Sequence, residues 1–323
     1  MRLVSESNPT PKSIMFYSVS HRDHAQRLMD SGIKNILVSY HYFRKDQRFM
    51  EVLDYVNEVG GYFMIDSGAF SYINMNKKDV KTDITQLIKP EYWLPYLNEY
   101  VEFVDRNIKK IYCAANFDLD IYLGPDKIVE WNEEYFSKFT EKTNVIYVAH
   151  KLKEWGYHNL QRLREYASMY EYVGVNAAYH NDLTGVAQIA RANGNRIHGF
   201  AITAMGKIKQ NPLFSVDSVT WHMGEVYGVT YRYDGKNFKT YNKLHKYRRK
   251  ADKVKIESHG MNYEGIIGAE MNMMSNNRGR EKSYDLEVYN LLAWKEAEKD
   301  YYKQANIKLL TNTVDKYDKR RKV

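Results

Sequence analysis

The chain has 323 residues, 48 Lys and Arg against 40 Asp and Glu for a formal charge of +8, and one cysteine. A lone cysteine excludes an intrachain disulfide framework, a cysteine-based zinc site and a cysteine-ligated iron–sulfur cluster. The mean hydropathy is −0.64, no apolar run approaches the ~20 residues of a membrane span, and the opening MRLVSESNPTPK has no apolar core; the expectation is a reduced, cytoplasmic globular protein away from membranes.

Apolar runs and helical patterns alternate along the chain. A β-like run over 13–19 is followed by a helix over 23–31 that Gly32 stops. The next run, 35–40, leads to a helix over 47–59, where Phe49, Val52, Leu53 and Val56 fall at helical spacing before Gly60 and Gly61. Run 62–67 precedes a helix over 95–108, and run 110–118 a helix over 130–140. Runs 144–150 and 172–177 flank a helix over 159–170. A helix over 184–193 ends at Gly194, and runs 196–203 and 215–221 complete the series. Most of these runs are continuously apolar, as strands covered on both faces are. Eight such strands with intervening helices predict a (β/α)₈ barrel over residues 1–227. A doubly wound open sheet is the structural alternative, but no glycine-rich phosphate fingerprint follows the first run. A hairpin over 228–241, turning at Asp234-Gly235, opens a mainly helical part over 228–323 that can complete the barrel.

Charge divides along the same line. Residues 1–230 hold 26 basic and 27 acidic side chains, a net of −1, which leaves 22 basic and 13 acidic, a net of +9, for residues 231–323. Ten basic residues lie between Arg232 and Lys255, with Tyr233, Phe238, Tyr241 and Tyr247 among them. Basic side chains displace counterions from phosphates and aromatic faces stack on bases, so this segment is a candidate nucleic-acid surface; the plain alternative is a solvated face.

Barrel chemistry sits where strands end. The polar residues expected there are Tyr40 and His41, Asp66 and Ser67, Asp118 and Asp120, His150, Asn176, Thr203, and Asp217 and Ser218. A carboxylate in an apolar strand end costs desolvation unless it is paired or used. One such aspartate can cap a helix, whereas three at one mouth, in MIDSGAF, ANFDLD and FSVDSVTW, point to catalysis or base binding.

Taken in order, these motifs resemble those of the tRNA-guanine transglycosylases. Asp66-Ser67-Gly68-Ala69-Phe70 is similar to that family's Asp-Ser-Gly-Gly-aromatic motif, and Asn116-Phe117-Asp118 to its Phe-Asp-Glu strand. The strand from Tyr172 to Ala177, and His198-Gly199-Phe200 followed by Phe214-Ser215-Val216-Asp217-Ser218, resemble its later motifs, so the likeness spans residues 36 to 221. The forms here are closest to the phage and bacterial 7-deazaguanine DNA transglycosylases, a branch that can lack the zinc site of the tRNA enzymes. Cys113 alone, inside a predicted strand, agrees with that branch.

The resemblance implies a pentosyltransferase that exchanges guanine in DNA for a free 7-deazaguanine, the 7-cyano form preQ0 or a derivative, with no cofactor and no metal. Asp217 would attack the sugar C1′ and form a covalent glycosyl intermediate. Asp66 would carry the proton of the leaving and entering bases, and Asp118 would accept from the base edge. Ser67, Phe70, His150, Gly174 and Asn176 would line the base site, Phe70 by stacking. Ala69, Leu119 and Asn176 depart from the tRNA-enzyme pattern and leave the inserted base open. The target base must leave the stack, which costs a few kcal/mol. Phosphate contacts from Arg248, Arg249 and Lys250 are the expected offset.

The same chemistry on tRNA or another RNA is the first alternative, and a nucleic-acid-binding barrel without catalysis the second. A metal-dependent hydrolase is a third, without support from HxH or HExxH spacing. His41 and His222 read equally as structural histidines, Cys113 as a small buried residue, Met271 to Met274 as packing, and Ser67 as a turn cap.

Overall fold

The continuous apolar runs pair side by side into a closed parallel barrel, because each can bury both faces only between an inner core and an outer layer of helices. A computed structural model describes residues 13–73, 87–202, 204–211, 213–227, 229–241, 252–258, 260, 262–264 and 287–303. The strands are β1 (Ile14–Val19), β2 (Asn35–Ser39), β3 (Tyr62–Asp66), β4 (Cys113–Ala115), β5 (Asn144–Val148), β6 (Tyr172–Val175), β7 (Arg196–Gly199) and β8 (Ser215–Ser218). Strand β1 closes the ring by pairing with β2, Tyr17 opposite Ile36, and with β8, Ile14 opposite Ser215.

Period-two alternation sorts the strand residues into two layers. Ile14, Phe16, Leu37, Met64, Cys113, Ile146 and Tyr172 fill the barrel interior, while Met15, Tyr17, Val19, Ile36, Val38, Phe63 and Ile65 pack outward against the helices. Cys113 is accordingly buried among apolar side chains. The inner series then turns polar toward the strand ends: Ser18 follows Phe16, Asp66 follows Met64, and Asp217 follows Ser215.

Several predicted boundaries shift. Strands β4, β7 and β8 are shorter than the apolar runs, and Thr220–Tyr227 is helical, so the last run ends at Ser218 and not at residue 221. The predicted helix over 95–108 begins five residues earlier as Pro90–Arg106, with Pro90 in its first turn, where a missing N–H costs nothing. The helix expected over 130–140 is Pro125–Trp131, continued by a π turn over Asn132–Phe136 and a 3₁₀ turn over Ser137–Phe139.

Beyond β8, strands β9 (Thr230–Tyr233) and β10 (Phe238–Tyr241) form the expected antiparallel hairpin. Its loop holds four residues, 234–237, with the Asp234 carboxylate accepting from the Lys236 and Asn237 amides. Residues 287–303 form a helix against the barrel wall. Tyr301 donates to the Leu213 carbonyl, Tyr302 accepts from the Met15 amide, and Glu298 accepts from both Tyr17 and Tyr302. Lys209 reaches Tyr233 and Asp300, which joins barrel, hairpin and helix. No helix among the described residues is long and apolar enough to cross a membrane.

Candidate active site

The carboxylates at the strand ends meet two different environments. On β8, Asp217 is almost fully buried and its two oxygens are separately held. Ser18 Oγ donates to Oδ2 at 2.6 Å and the Ala201 amide donates to Oδ1 at 2.9 Å. Ala201 adopts φ +54, a left-handed conformation that costs a side-chain-bearing residue about 1 kcal/mol or more. That strained residue follows β7 and turns its N–H onto the β8 carboxylate. His198 Nε2 lies 3.4 Å from Oδ1.

Across the mouth, Asp66 ends β3. Its carboxyl is pushed up to about 7, first by burial and then by the negative charges of Asp118 and Asp217, against the Gly68 and Ser67 amides. Gly68 has φ +75, and a Cβ there would come within 2.6 Å of the His41 amide nitrogen, so only glycine lets the chain turn so closely under β2. Ser67 is fully buried; its Oγ donates to Asp118 Oδ1 at 3.2 Å and its carbonyl accepts from Tyr96 Oη at 2.9 Å. From the same helix, Tyr100 Oη donates to the Ala115 carbonyl at 2.7 Å. Two tyrosines on Pro90–Arg106 therefore satisfy carbonyls where β3 and β4 leave the sheet.

Asp118 stands on the loop after β4. Asn116 prolongs the β4–β5 pairing, its amide donating to the Ile146 carbonyl and its side-chain oxygen accepting from the Val148 amide. Behind it, Asn132 accepts from Asn116 at 2.8 Å and donates to Tyr170 at 3.1 Å, a buried polar row that the π turn aligns. Asp118 is raised to about 6 by burial, opposed by the positive charge of His150. His150 Nε2 lies 3.4 Å from Asp118 Oδ2, and its Nδ1 lies 2.5 Å from the fully buried Asp120. Burial alone would lower this imidazole, but the Asp120 and Asp118 carboxylates outweigh it and hold it near 9. An imidazolium thus sits between two carboxylates.

Of the residues expected to form the site, Asp66, Ser67, Asp118, His150 and Asp217 come together at the C-terminal mouth, linked by these contacts and by the charges acting on Asp66. Phe70 follows them on the helix that begins at residue 69, with 77% of its surface exposed and its ring open to solvent. Gly174 lies inside β6, and its carbonyl accepts from the Ala149 amide. A Cβ on Gly174 would come within 2.7 Å of Phe200 Cε2, so this glycine makes room for an aromatic ring. Asn176 turns its side chain back onto the Ala178 amide at 3.1 Å. His41 is buried beside Tyr42 and Tyr72, and burial together with Lys45 lowers it to about 4. His222 packs against His24 at 4.3 Å between ring centres. Thr203, Arg248, Arg249, Lys250 and Met271 to Met274 lie outside the described residues.

Sequence reasoning missed Ser18, Ala201 and His198 as partners of Asp217. Ser18 is 199 positions from Asp217 in the chain, and only barrel closure joins them. His198 carried one signal, a histidine inside an apolar run. Among the described residues no group of three or more His, Cys, Asp or Glu side chains is arranged to hold a metal ion. No protein-family model matches the chain, and no curated protein matches it.

Proposed function

We propose that this barrel is a base-exchanging pentosyltransferase acting on guanine in DNA. The observation that carries the reading is the pairing of two differently held carboxyls at one mouth: Asp217, oriented by the Ser18 hydroxyl and the Ala201 amide, and Asp66, which retains a proton close to neutral pH. Such division of labour between two carboxyls suits displacement at a sugar carbon.

In the first half-reaction an Asp217 oxygen attacks C1′ and forms an ester bond as the C1′–N9 bond breaks. The departing base takes up the bonding pair and receives the Asp66 proton. Guanine leaves and a free 7-deazaguanine enters. Its N9–H gives its proton to Asp66, N9 bonds to C1′, and the ester C–O bond breaks to return the Asp217 carboxylate. Atoms and charges balance with no water and no redox partner. Asp118, backed by Ser67 and His150, accepts from the ring N–H and amino group, since a carboxylate retains further lone pairs. The exposed Phe70 ring is available for stacking.

The test is incubation of the full chain with a guanine-containing single-stranded DNA oligonucleotide and labelled guanine or preQ0, with an equivalent RNA in parallel. Label entering DNA, and a denaturation-resistant protein–DNA adduct that Asp217→Asn cannot form, is the expected result. Exchange on RNA alone would move the activity to the other polynucleotide, and exchange on neither would remove it.

A further inference from the structure

Below Asp217, inside the barrel, three side chains form a row that the reaction above leaves unused. His198 on β7 is fully buried, with ring centres of Phe16 and Phe200 at 6.1 and 4.3 Å. Its Nδ1 lies 2.6 Å from Ser215 Oγ, and Ser215 Oγ is in hydrogen-bond contact with Tyr172 Oη. At the other edge of the ring, Nε2 faces Asp217 Oδ1 at 3.4 Å and meets no hydrogen-bond partner among the described residues.

The sense of each hydrogen bond is read from the Asp217 end of the row, where the carboxylate only accepts. Burial raises the Tyr172 phenol far above its ordinary range, so it keeps its proton and has one to donate to Ser215. Ser215 has one proton of its own, and His198 Nδ1 is the acceptor beside it. In a neutral ring, an Nδ1 that accepts leaves the proton on Nε2, the nitrogen 3.4 Å from Asp217 Oδ1. Tyr172, Ser215, His198 and Asp217 then form one row with a single direction. The other tautomer would set a nitrogen lone pair against a carboxylate oxygen and leave the Ser215 hydroxyl proton without His198 as its acceptor.

We propose that His198 is a positioning residue for Asp217, locked as its Nε2–H tautomer by Ser215 and Tyr172, so that the carboxylate is held from inside the barrel as well as by Ser18 and Ala201. The role rests on Asp217 being the nucleophile. A carboxylate that must aim one oxygen at C1′ loses rate steeply when it can swing, and a misplacement near 1 Å costs about 10²-fold. The 3.4 Å contact is long for a hydrogen bond, of a kind that tightens when substrate seats. Phe200 keeps the ring in place, and Gly174 is the residue whose missing side chain admits Phe200.

Two measurements on the full chain test this. The first needs no substrate: nitrogen-15 NMR of the imidazoles should show His198 protonated on Nε2 and bare on Nδ1, and Ser215→Ala should weaken that preference. An Nδ1–H tautomer in the wild-type protein overturns the proposal. The second is single-turnover adduct formation on the guanine-containing DNA oligonucleotide. Glutamine can place an N–H near the Nε2 position, whereas asparagine reaches only toward Ser215. His198→Asn should slow adduct formation about 10²-fold at unchanged oligonucleotide Kd, and His198→Gln should recover most of the wild-type rate. Equal rates in wild type and both variants, or equal losses of rate, Kd and Tm in both variants, would overturn the role. If the wild-type protein forms no adduct on DNA or RNA, the base-exchange reading fails by itself, and the tautomer measurement still decides the row.

Discussion

The two sides of the barrel mouth use the same residue type in opposite ways. Around β7, β8 and β1, Asp217 accepts from a hydroxyl and an amide, with the buried His198 ring 3.4 Å away. Around β3, β4 and β5, Asp66, Asp118 and Asp120 crowd together with one histidine between two of them. Neutral donors orient a carboxylate, while burial, with like charges crowded beside it, makes one carboxyl keep its proton. In the proposed reaction aspartate serves as nucleophile or acid according to its neighbours, and the barrel supplies both neighbourhoods within one mouth.

The sharpest way to break that contrast is to neutralise each side in turn. Asp217→Asn should abolish base exchange and adduct formation, a loss beyond about 10³-fold, measured by label incorporation into the oligonucleotide. Asp66→Asn should cost about 10²-fold in adduct formation, the usual scale of a lost general acid, with DNA binding retained. In the wild-type protein, adduct formation should fall as pH rises through about 7, where Asp66 loses its proton.

The same carboxyl opposes folding. Its folded-state value lies above that of an unfolded aspartate near 3.8, so the unfolded chain releases its proton first as pH rises. Stability drains between about pH 4 and 7, and Asp66→Asn should raise Tm at pH 8 while slowing adduct formation. An unchanged Tm would place Asp66 in a more solvated setting than its neighbours imply. His150 works in the other direction. Its folded value near 9 exceeds the unfolded 6.5, so its stabilisation is complete below pH 6.5 and is lost as pH rises through 9. His150→Gln should destabilise the fold by about 3 kcal/mol near pH 7, because it strands Asp118 and Asp120 without their cation. Denaturant titration at pH 6 and pH 10 checks both size and sign: the gap between wild type and variant should narrow at pH 10.

The smallest expected effect falls on packing. Gly174→Ala would press its Cβ against Phe200. It should cost about 1–3 kcal/mol in stability and slow adduct formation as the rings around His198 shift. Near-wild-type Tm and rate would show that Phe200 yields freely.

Much of this architecture was legible beforehand because buried parallel strands leave an unambiguous trace. The runs of β1, β2, β3, β5 and β6 read correctly to within two residues, since each is apolar on both faces. Strand ends were less legible. The apolar run through Ser218, Val219 and Trp221 continues without a break, yet the chain leaves the sheet at Ser218 and turns helical from Thr220, with Trp221 Nε1 donating to the Ser18 carbonyl. Composition does not record where a sheet neighbour stops. The three aspartates stood out because carboxylates are rare in apolar runs, whereas Ser18 looked like any strand-end serine.

By itself the sequence determined the eight buried strands with intervening helices and the presence of Asp66, Asp118 and Asp217 at or just past strand ends. These follow from local periodicity and from the desolvation cost of a carboxylate. Only the tertiary structure decided which aspartate meets hydroxyl and amide donors and which meets other carboxylates. That choice depends on strand β1 closing against β8 and on Ala201 turning its amide inward. Contacts nearly 200 residues apart, and the electrostatics of groups brought within a few ångströms, have no counterpart in the linear order.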